Sequence, residues 1–520
     1  MDLKQHLIHR SYTKCEAKNQ ITIGDDYSVP DGKPDVAKIL QKRADISVEE
    51  VNTEKGKVRI RGFLKVDVFY LAQRSKQVVE SLEMQFPFDE TMYMDGAVSG
   101  DNLKIDWEIE DLRINIVHPG KLDVRSVAML RGVIKGCENY LITEGVEAEG
   151  IHKREQNYQM AQPAMNKKDS YRIRDEVSLS ASKPNVQKML WHHLQMRELD
   201  IRIQENRLAI KGECHLFVVY EGEEEKENVQ WFEQTIPFQG TLDAAGIHGE
   251  MFGTLESEIS HQNVEVKPDY DGELRSFQIE MMLDIHMNLY EVCDCNVLQD
   301  AYSTSKQLKL QKQDILYEKL RMCNQAKGRI SGQAQLEQKG TVLQIVSSLA
   351  KLSDKRYKLQ EQGILCEGIL EAQILYITSS DQEPFGSVNV EVPYSQLVDV
   401  PGIQPKDQWE ITEIIDQIFI TMRDGNSLEV KANLNFNVCV MEQCRLENIT
   451  EIICEDYDME EYKKRPGMVI HFVQPKETLW ELAKAYWTTT EEIKKVNELS
   501  SEEVAVGQKI LLMKNSMETL

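Results

Sequence analysis

Adjacent imidazoles are the first place to look for chemistry, and His192-His193 is the only such pair in the chain. Two histidines hold a metal ion when their nitrogens converge. Neighbours on an extended strand point to opposite faces, so this pair is not expected to chelate one. Asp269-x-Asp271-Gly272 opens like a calcium loop but lacks the later ligands and the closing bidentate glutamate, and it reads as a hairpin turn. Cys293-x-Cys295 and Cys439-x4-Cys444 do not have the paired C-x2-C spacing of a zinc site. The sequence has no phosphate loop ending in Gly-Lys-Ser/Thr, no G-x-G-x-x-G after a strand, no H-E-x-x-H and no G-x-S-x-G elbow. The reading is therefore a protein with no catalytic residues, metal or cofactor, which works by presenting surfaces.

The elements behind those residues are written three times. Lys33-Pro34-Asp35-Val36 heads a stretch reaching Gly62, Tyr70 and Pro87-Phe88; Lys183-Pro184-Asn185-Val186 heads a second reaching Gly212, Tyr220 and Pro237-Phe238. Lys339-Gly340-Thr341-Val342 heads a third reaching Gly368, Tyr376 and Pro393-Tyr394. The offsets are 150 and 156 residues, longer than the roughly 20–50 of a solenoid unit. In the first copy Val58, Ile60, Leu64, Val66, Val68 and Tyr70 alternate with polar residues, the period of a strand with one face in the core. Leu208, Ile210, Cys214, Leu216, Val218 and Tyr220 repeat it, as do Ile364, Cys366, Leu370, Ala372, Ile374 and Tyr376. Each copy places a glycine on the apolar side, which predicts a bend, a bulge or a close backbone approach. A second strand should end at the Pro-aromatic pair or lie at a sheet edge. The residues from Lys33 to Leu40 predict one or two helical turns. Asp424-Gly425 predicts a further hairpin, and Glu223-Glu224-Glu225 a solvated turn.

Composition limits the rest. A chain of 520 residues that is 41% hydrophobic has room for three or four domains. A net charge of -25 repels phosphate backbones and anionic lipid, so nucleic-acid or membrane-surface binding is not expected. Lys463-Lys464-Arg465 reads as a solvated linker. Residues 1–20 lack an apolar signal core, and no run of 18 apolar residues occurs. The ten cysteines read as ordinary reduced thiols, Cys214 and Cys366 as buried ones, which predicts a cytosolic protein. Polar stretches at Glu147–Ser170, Gln299–Asp314 and Glu455–Pro466 read as linkers. The expected fold is mainly β: repeats at 25–146, 171–298 and 315–454, the last more divergent, then a small βααβ domain at 468–513.

In that last domain Val469 to Val473 form a strand. Thr478 with Glu481, and Thr489 with Glu492, are capping boxes for two helices. Lys509 to Leu512 close the domain as a strand. The string from Val473 to Ala483, with Tyr486, Thr488-Thr489, Ile493, Asn497, Leu499 and Val506 to Ile510, strongly resembles the LysM domain. The resemblance implies binding of N-acetylglucosamine polymers, including peptidoglycan, between two loops. Carried over, these contain Pro475, Lys476, Glu477 and Thr478, and Leu499, Ser501, Glu502, Val506 and Gly507. Lys476 and Trp487 stand where the family usually has glycine, and Val506 where it usually has proline. Glu502 and Glu503 make the second loop acidic. Trp480 reads as core, and an exposed Trp487 would be a candidate protein-binding anchor.

The whole layout resembles the SPOCS-domain plus LysM spore-envelope morphogenetic proteins of endospore-forming bacteria, over about residues 25–513. That resemblance implies a non-enzymatic scaffold in the mother-cell cytoplasm, docking coat layers at the forespore surface. It also implies a partner, the coat basement-layer ATPase, met through the LysM module. A peptidoglycan-binding protein of the cortex or cell wall is the alternative reading.

Overall fold

In the computed structural model, residues 1–520 are described except 74–78, 224–228, 337–341, 381–382, 425–426, 457–459, 461–463, 465 and 514–520. The head of the third copy at 339–341, Glu224-Glu225, Gly425 and most of the basic run at 463–465 therefore lie outside the described residues. The chain is mainly β, as the alternation predicts. The first copy contributes β1 (Leu3–Ile23), β2 (Asp26–Ser28), β3 (Val36–Glu54), β4 (Lys57–Ala72), β5 (Val79–Tyr93), β6 (Leu103–His118) and β7 (Lys121–Val146). The second contributes β8 (Ile151–Ser178), β9 (Val186–Gln204), β10 (Arg207–Gly222), β11 (Val229–Asp243), β12 (Phe252–Pro268) and β13 (Leu274–Ser303). The third contributes β14 (Lys306–Gln335), β15 (Val342–Gln360), β16 (Gly363–Thr378), β17 (Phe385–Asp399), β18 (Gln408–Asp424) and β19 (Ser427–Asp456).

Each copy has the same plan. Its first long strand pairs antiparallel with its last, as β1–β7, β8–β13 and β14–β19. The last strand also pairs with the one before it, and the middle three strands form a separate meander. β13 is 30 residues long, roughly 100 Å at ~3.3 Å per residue: Phe277 to Leu289 pack against the meander, and the rest of the ribbon, to Ser303, continues past it as a stalk. The predicted apolar face is the core face. Val58, Ile60, Leu64, Val66, Val68 and Tyr70 are all 0% exposed. The Tyr70 hydroxyl donates to the carbonyl of Pro34 at 2.8 Å, and Tyr220 to Pro184 at 3.3 Å, which ties the head of the copy to its central strand.

The glycines mark bulges. The β3–β4 register shifts between Val48 and Glu50, beside Gly62; shifts also lie beside Gly212 and Gly368. A Cβ on Gly62 would run into the Ser47 carbonyl oxygen and the Val48 Cα at 3.1 Å, both backbone. At Gly368 it would meet only the tip of the Tyr394 ring, and at Gly212 the Phe238 ring at 2.9 Å with the Arg197 carbonyl oxygen behind it at 3.3 Å, a far looser backbone contact than at Gly62. Gly62→Ala should therefore cost about 2–3 kcal/mol and Gly212→Ala about 1 kcal/mol, since rings tilt and backbone does not. Urea denaturation of the two variants tests this, and equal midpoints would refute it.

Several expectations need correction. Residues 36–40 are strand β3, not helical turns, because their amides join the ladder with β4. Of the two forms expected for the second strand, the edge position is the one found: β5 runs through Pro87 to Tyr93 at the meander's edge, where a missing amide costs no ladder bond. Two of the three linkers are strand. Residues 151–170 pair with β13, while the polar stretch from Gln299 ends β13 and, from Lys306, begins β14. Cys323 of β14 and Cys439 of β19 stand directly opposite each other with Cα atoms 4.2 Å apart, placed so that the two could be joined. Cys214 and Cys366 are buried as expected, and burial pushes both thiols up to about 12.

The copies are not independent beads. Leu40, Phe69, Leu71 and Val79 of the first, Leu190, Trp191, Phe217 and Val219 of the second, and Val346, Leu375 and Phe385 of the third form one shared core. Leu40, Leu190 and Val346 obey the 150 and 156 offsets, as do Phe69, Val219 and Leu375. The same side of each meander thus turns toward the other two. Phe69 stacks on Trp191 with centroids 5.6 Å apart. Further down, Ile8, Ile142, Met160, Cys295, Val297, Ile315, Tyr317 and Leu446 join the three ribbons. Charges fasten the assembly. Arg10 of β1 donates to Glu318 of β14 at 2.8 Å, and Lys135 of β7 pairs with Glu410 of β18 at 2.7 Å. Thr254 and Asn288, from the second copy, donate to the same Glu410 carboxylate.

Candidate functional site

The C-terminal module consists of β20 (Met468–Phe472), α1 (Leu479–Tyr486), α2 (Thr490–Val496) and β21 (Lys509–Met513), with β20 and β21 paired antiparallel. Both helices start as the sequence predicts. The Thr478 hydroxyl accepts from the Glu481 amide while the Glu481 carboxylate accepts from the Thr478 amide, and Thr489 with Glu492 repeats the box. Leu479, Leu482, Ala483 and Ile493 turn inward with Val473, Ile510 and Leu512. Asn497 fixes the chain after α2: its amide donates to the Ile493 and Leu511 carbonyls and its oxygen accepts from the Leu511 amide.

The two candidate loops are joined at their base. The Val473 amide donates to the Gln508 carbonyl at 3.0 Å, and the Gly507 amide to the Val473 carbonyl at 2.8 Å. In the first loop Pro475, Lys476 and Thr478 are exposed. The Glu477 carboxylate accepts from the Gln474 amide and from His471 Nε2, both at 2.7 Å, and these bonds hold it below the usual carboxylate range. In the second loop Ser501 and Glu502 are exposed, Leu499 is half-buried and Val506 is 66% exposed. Glu502 pairs with Lys494 at 3.2 Å.

Three residues of the module carry backbone strain, Glu498 at φ 54° and the two that stand where the family usually has glycine. Lys476 has φ 71° and Trp487, the C-cap of α1, has φ 56°. Glycine takes this left-handed region freely and a side chain does not. A long cation and a half-buried indole therefore occupy the corners where bare backbone would be least strained.

Sequence reading missed two features. Met468, Ile470 and Phe472 are 57%, 61% and 50% exposed, an apolar strip along β20; their alternation with Val469 and His471 was the available signal. Trp480, read as core, is half-buried: it lies against the module's core and also reaches Tyr302 of β13, ring centroids 4.8 Å apart. No local signal links residues 178 apart. His192 and His193 lie on β9 opposite Val218 and Phe217, in the meander layer.

The family described as SipL, SPOCS domain, matches residues 35–117, 185–267 and 341–423, and the LysM domain family matches residues 471–512. No curated protein and no solved structure matches the chain.

Proposed function

The chain is a SPOCS-plus-LysM protein, three SPOCS copies and one LysM domain, and from that premise we propose that it is a non-enzymatic scaffold of the spore envelope. SPOCS and LysM domains are binding domains, LysM domains bind peptidoglycan-type glycans, and the combination fits a sporulation-related protein. Among the described residues no helix is long and apolar enough to cross a membrane. In the proposed role the module recruits the protein from the mother-cell cytoplasm to the forespore surface through the coat basement-layer ATPase, and the SPOCS body carries coat components.

The observation that carries this reading is the pair of side chains at strained corners. A sugar groove needs close approach to backbone groups. Lys476 and Trp487, with the acidic Ser501-Glu502-Glu503 loop, offer instead a charged cation, an indole and carboxylates, a surface suited to a protein. Pro475, Glu477, Thr478, Leu499, Val506 and Gly507 complete that surface. The alternative, a glycan-binding protein acting at the cortex or cell wall, is favoured by the bridged loop base at Val473, Gly507 and Gln508, which keeps the two loops side by side.

Deleting residues 468–520 should abolish recruitment to the forespore and leave the body folded. The intact protein should be retained weakly on insoluble peptidoglycan. Normal encirclement of the forespore by the truncated protein would overturn the scaffold reading. Strong peptidoglycan retention, competed away by chitin oligomers, would establish the alternative.

A further inference from the structure

The C-terminal module rests against the end of the stalk rather than hanging free of it. Asp300 and Tyr302 lie two apart on β13 and share a face; Trp480 and Lys484 lie four apart on α1 and share a face. These faces meet. The Trp480 indole N–H donates to Asp300 Oδ2 at 2.8 Å, and the Lys484 ammonium donates to Asp300 Oδ1 at 2.6 Å. The Ala301 amide donates to the same Oδ1 at 3.0 Å, which holds the carboxylate in place. The Tyr302 ring stands edge-on to Trp480, stacks at 5.0 Å on His152 of β8, and is only 4% exposed. It belongs to the module's own hydrophobic core, beside Leu479, Leu482 and Ile493. Arg154, paired with Asp300 across the ribbon, lies over the opposite side of the contact, 5.6 Å from the Trp480 ring.

Asp300 itself is 8% exposed. A carboxylate removed from water to this extent persists only with charge and hydrogen bonds to satisfy it. Burial alone would push its carboxyl up, but the bonds from Lys484 and Trp480 outweigh burial and hold it below the usual carboxylate range. A register shift between Leu298 and Asp300 adds a bulge just before the contact, the kind of irregularity that re-aims side chains. The exposed tips of the candidate ligand loops stay clear of the contact: Lys476, Thr478, Glu502 and Val506 are exposed, while Leu499, at the base of the second loop, packs against the core that Tyr302 joins.

We propose that Asp300 is a latch that holds the LysM module in one fixed orientation at the distal end of the stalk, with its ligand loops facing outward. The module is then a rigid extension of the SPOCS body, and whatever binds its loops is held at a set angle to the three ribbons. Because the latch is made by the Trp480–Lys484 face and not by the exposed loop tips, it stands or falls separately from the proposed function.

Spin labels on unnatural amino acids at Gln307 and Lys495 of the full chain read the latch directly, with no ligand present. The parent should give one narrow distance distribution. Asp300→Ala should broaden it at least twofold and Lys484→Asp should do the same. Tyr302→Ala, which leaves both charges in place, should broaden it too. A broad distribution in the parent would overturn the proposal, and so would a narrow one in Asp300→Ala.

Discussion

Replacing Arg10 with alanine should destabilise the folded chain by about 3–5 kcal/mol at pH 8, because it strands a buried carboxylate. Arg10 is 8% exposed and Glu318 2%; the guanidinium donates to Glu318 at 2.8 Å and to Glu138 at 3.2 Å. The two partners respond differently. Burial opposes the Arg10 charge but its two carboxylates outweigh it, while burial pushes the Glu318 carboxyl up despite Arg10. We take the Glu318 direction as the informative one, since arginine stays charged in any case. Without Arg10, Glu318 will fold most easily as the neutral acid. Its folded pKa will then lie still further above the unfolded value, so the stability of the neutral form is present at low pH and is lost as pH rises through the folded pKa. The variant should therefore lose more at pH 8 than at pH 5. Arg10→Leu with Glu318→Leu should recover most of the loss, because two apolar residues leave no charge unpaired. Urea denaturation at both pH values checks the claim. A loss in Arg10→Ala that does not depend on pH would refute it.

The second large effect is acid lability centred where the meanders meet. Burial depresses His193 to about 3, and His192 and His215 to about 4, with Arg43 or Arg197 opposing the positive charge further. Neither ring nitrogen of His193 has a hydrogen-bond partner among the described residues. The groups around this trio are Arg43 of β3, Asp67 of β4, Arg197 of β9 and, near His215, Glu233 of β11. The folded values lie below the unfolded one. The neutral rings thus contribute stability that is complete above about pH 6.5 and is lost as pH falls toward 4, where only the unfolded chain takes up protons. From His193 alone the loss should be on the order of 3 kcal/mol across that window, at roughly 1.4 kcal/mol per pH unit. His193→Leu should flatten this limb and leave stability at pH 8 unchanged or higher. Leucine fits because the third copy already has Leu349 at the corresponding position. An acid limb as steep in His193→Leu as in the parent would show that other groups control it.

How much of this was legible depended on where the partner of each residue lay. The alternation from Val58 to Tyr70 revealed a strand and its buried face, because side chains on a strand alternate whatever the rest of the fold does. The break in that alternation was equally visible: Val68-Phe69-Tyr70-Leu71 is apolar on both faces, the mark of a strand covered on both sides. It marks the shared core that Phe69 and Leu71 enter. The capping boxes and the LysM string were legible for the same local reason, since their hydrogen bonds span three or four residues. The polar stretch 151–170 was misread because nothing within it favours a strand; its backbone is satisfied by β13, more than a hundred residues away.

The sequence by itself determined the local chemistry: three copies, a strand with one apolar face in each, bulge glycines, and a C-terminal module with two capped helices. Only the tertiary structure decided that the copies share one core, that polar segments extend into a stalk, and that Asp300 meets Trp480 and Lys484. The division follows the range of the forces. Strand pleat, turn and cap act over a few residues and leave a periodic trace, whereas long-range strand pairing and a buried ion pair depend on groups brought together only when the chain has folded.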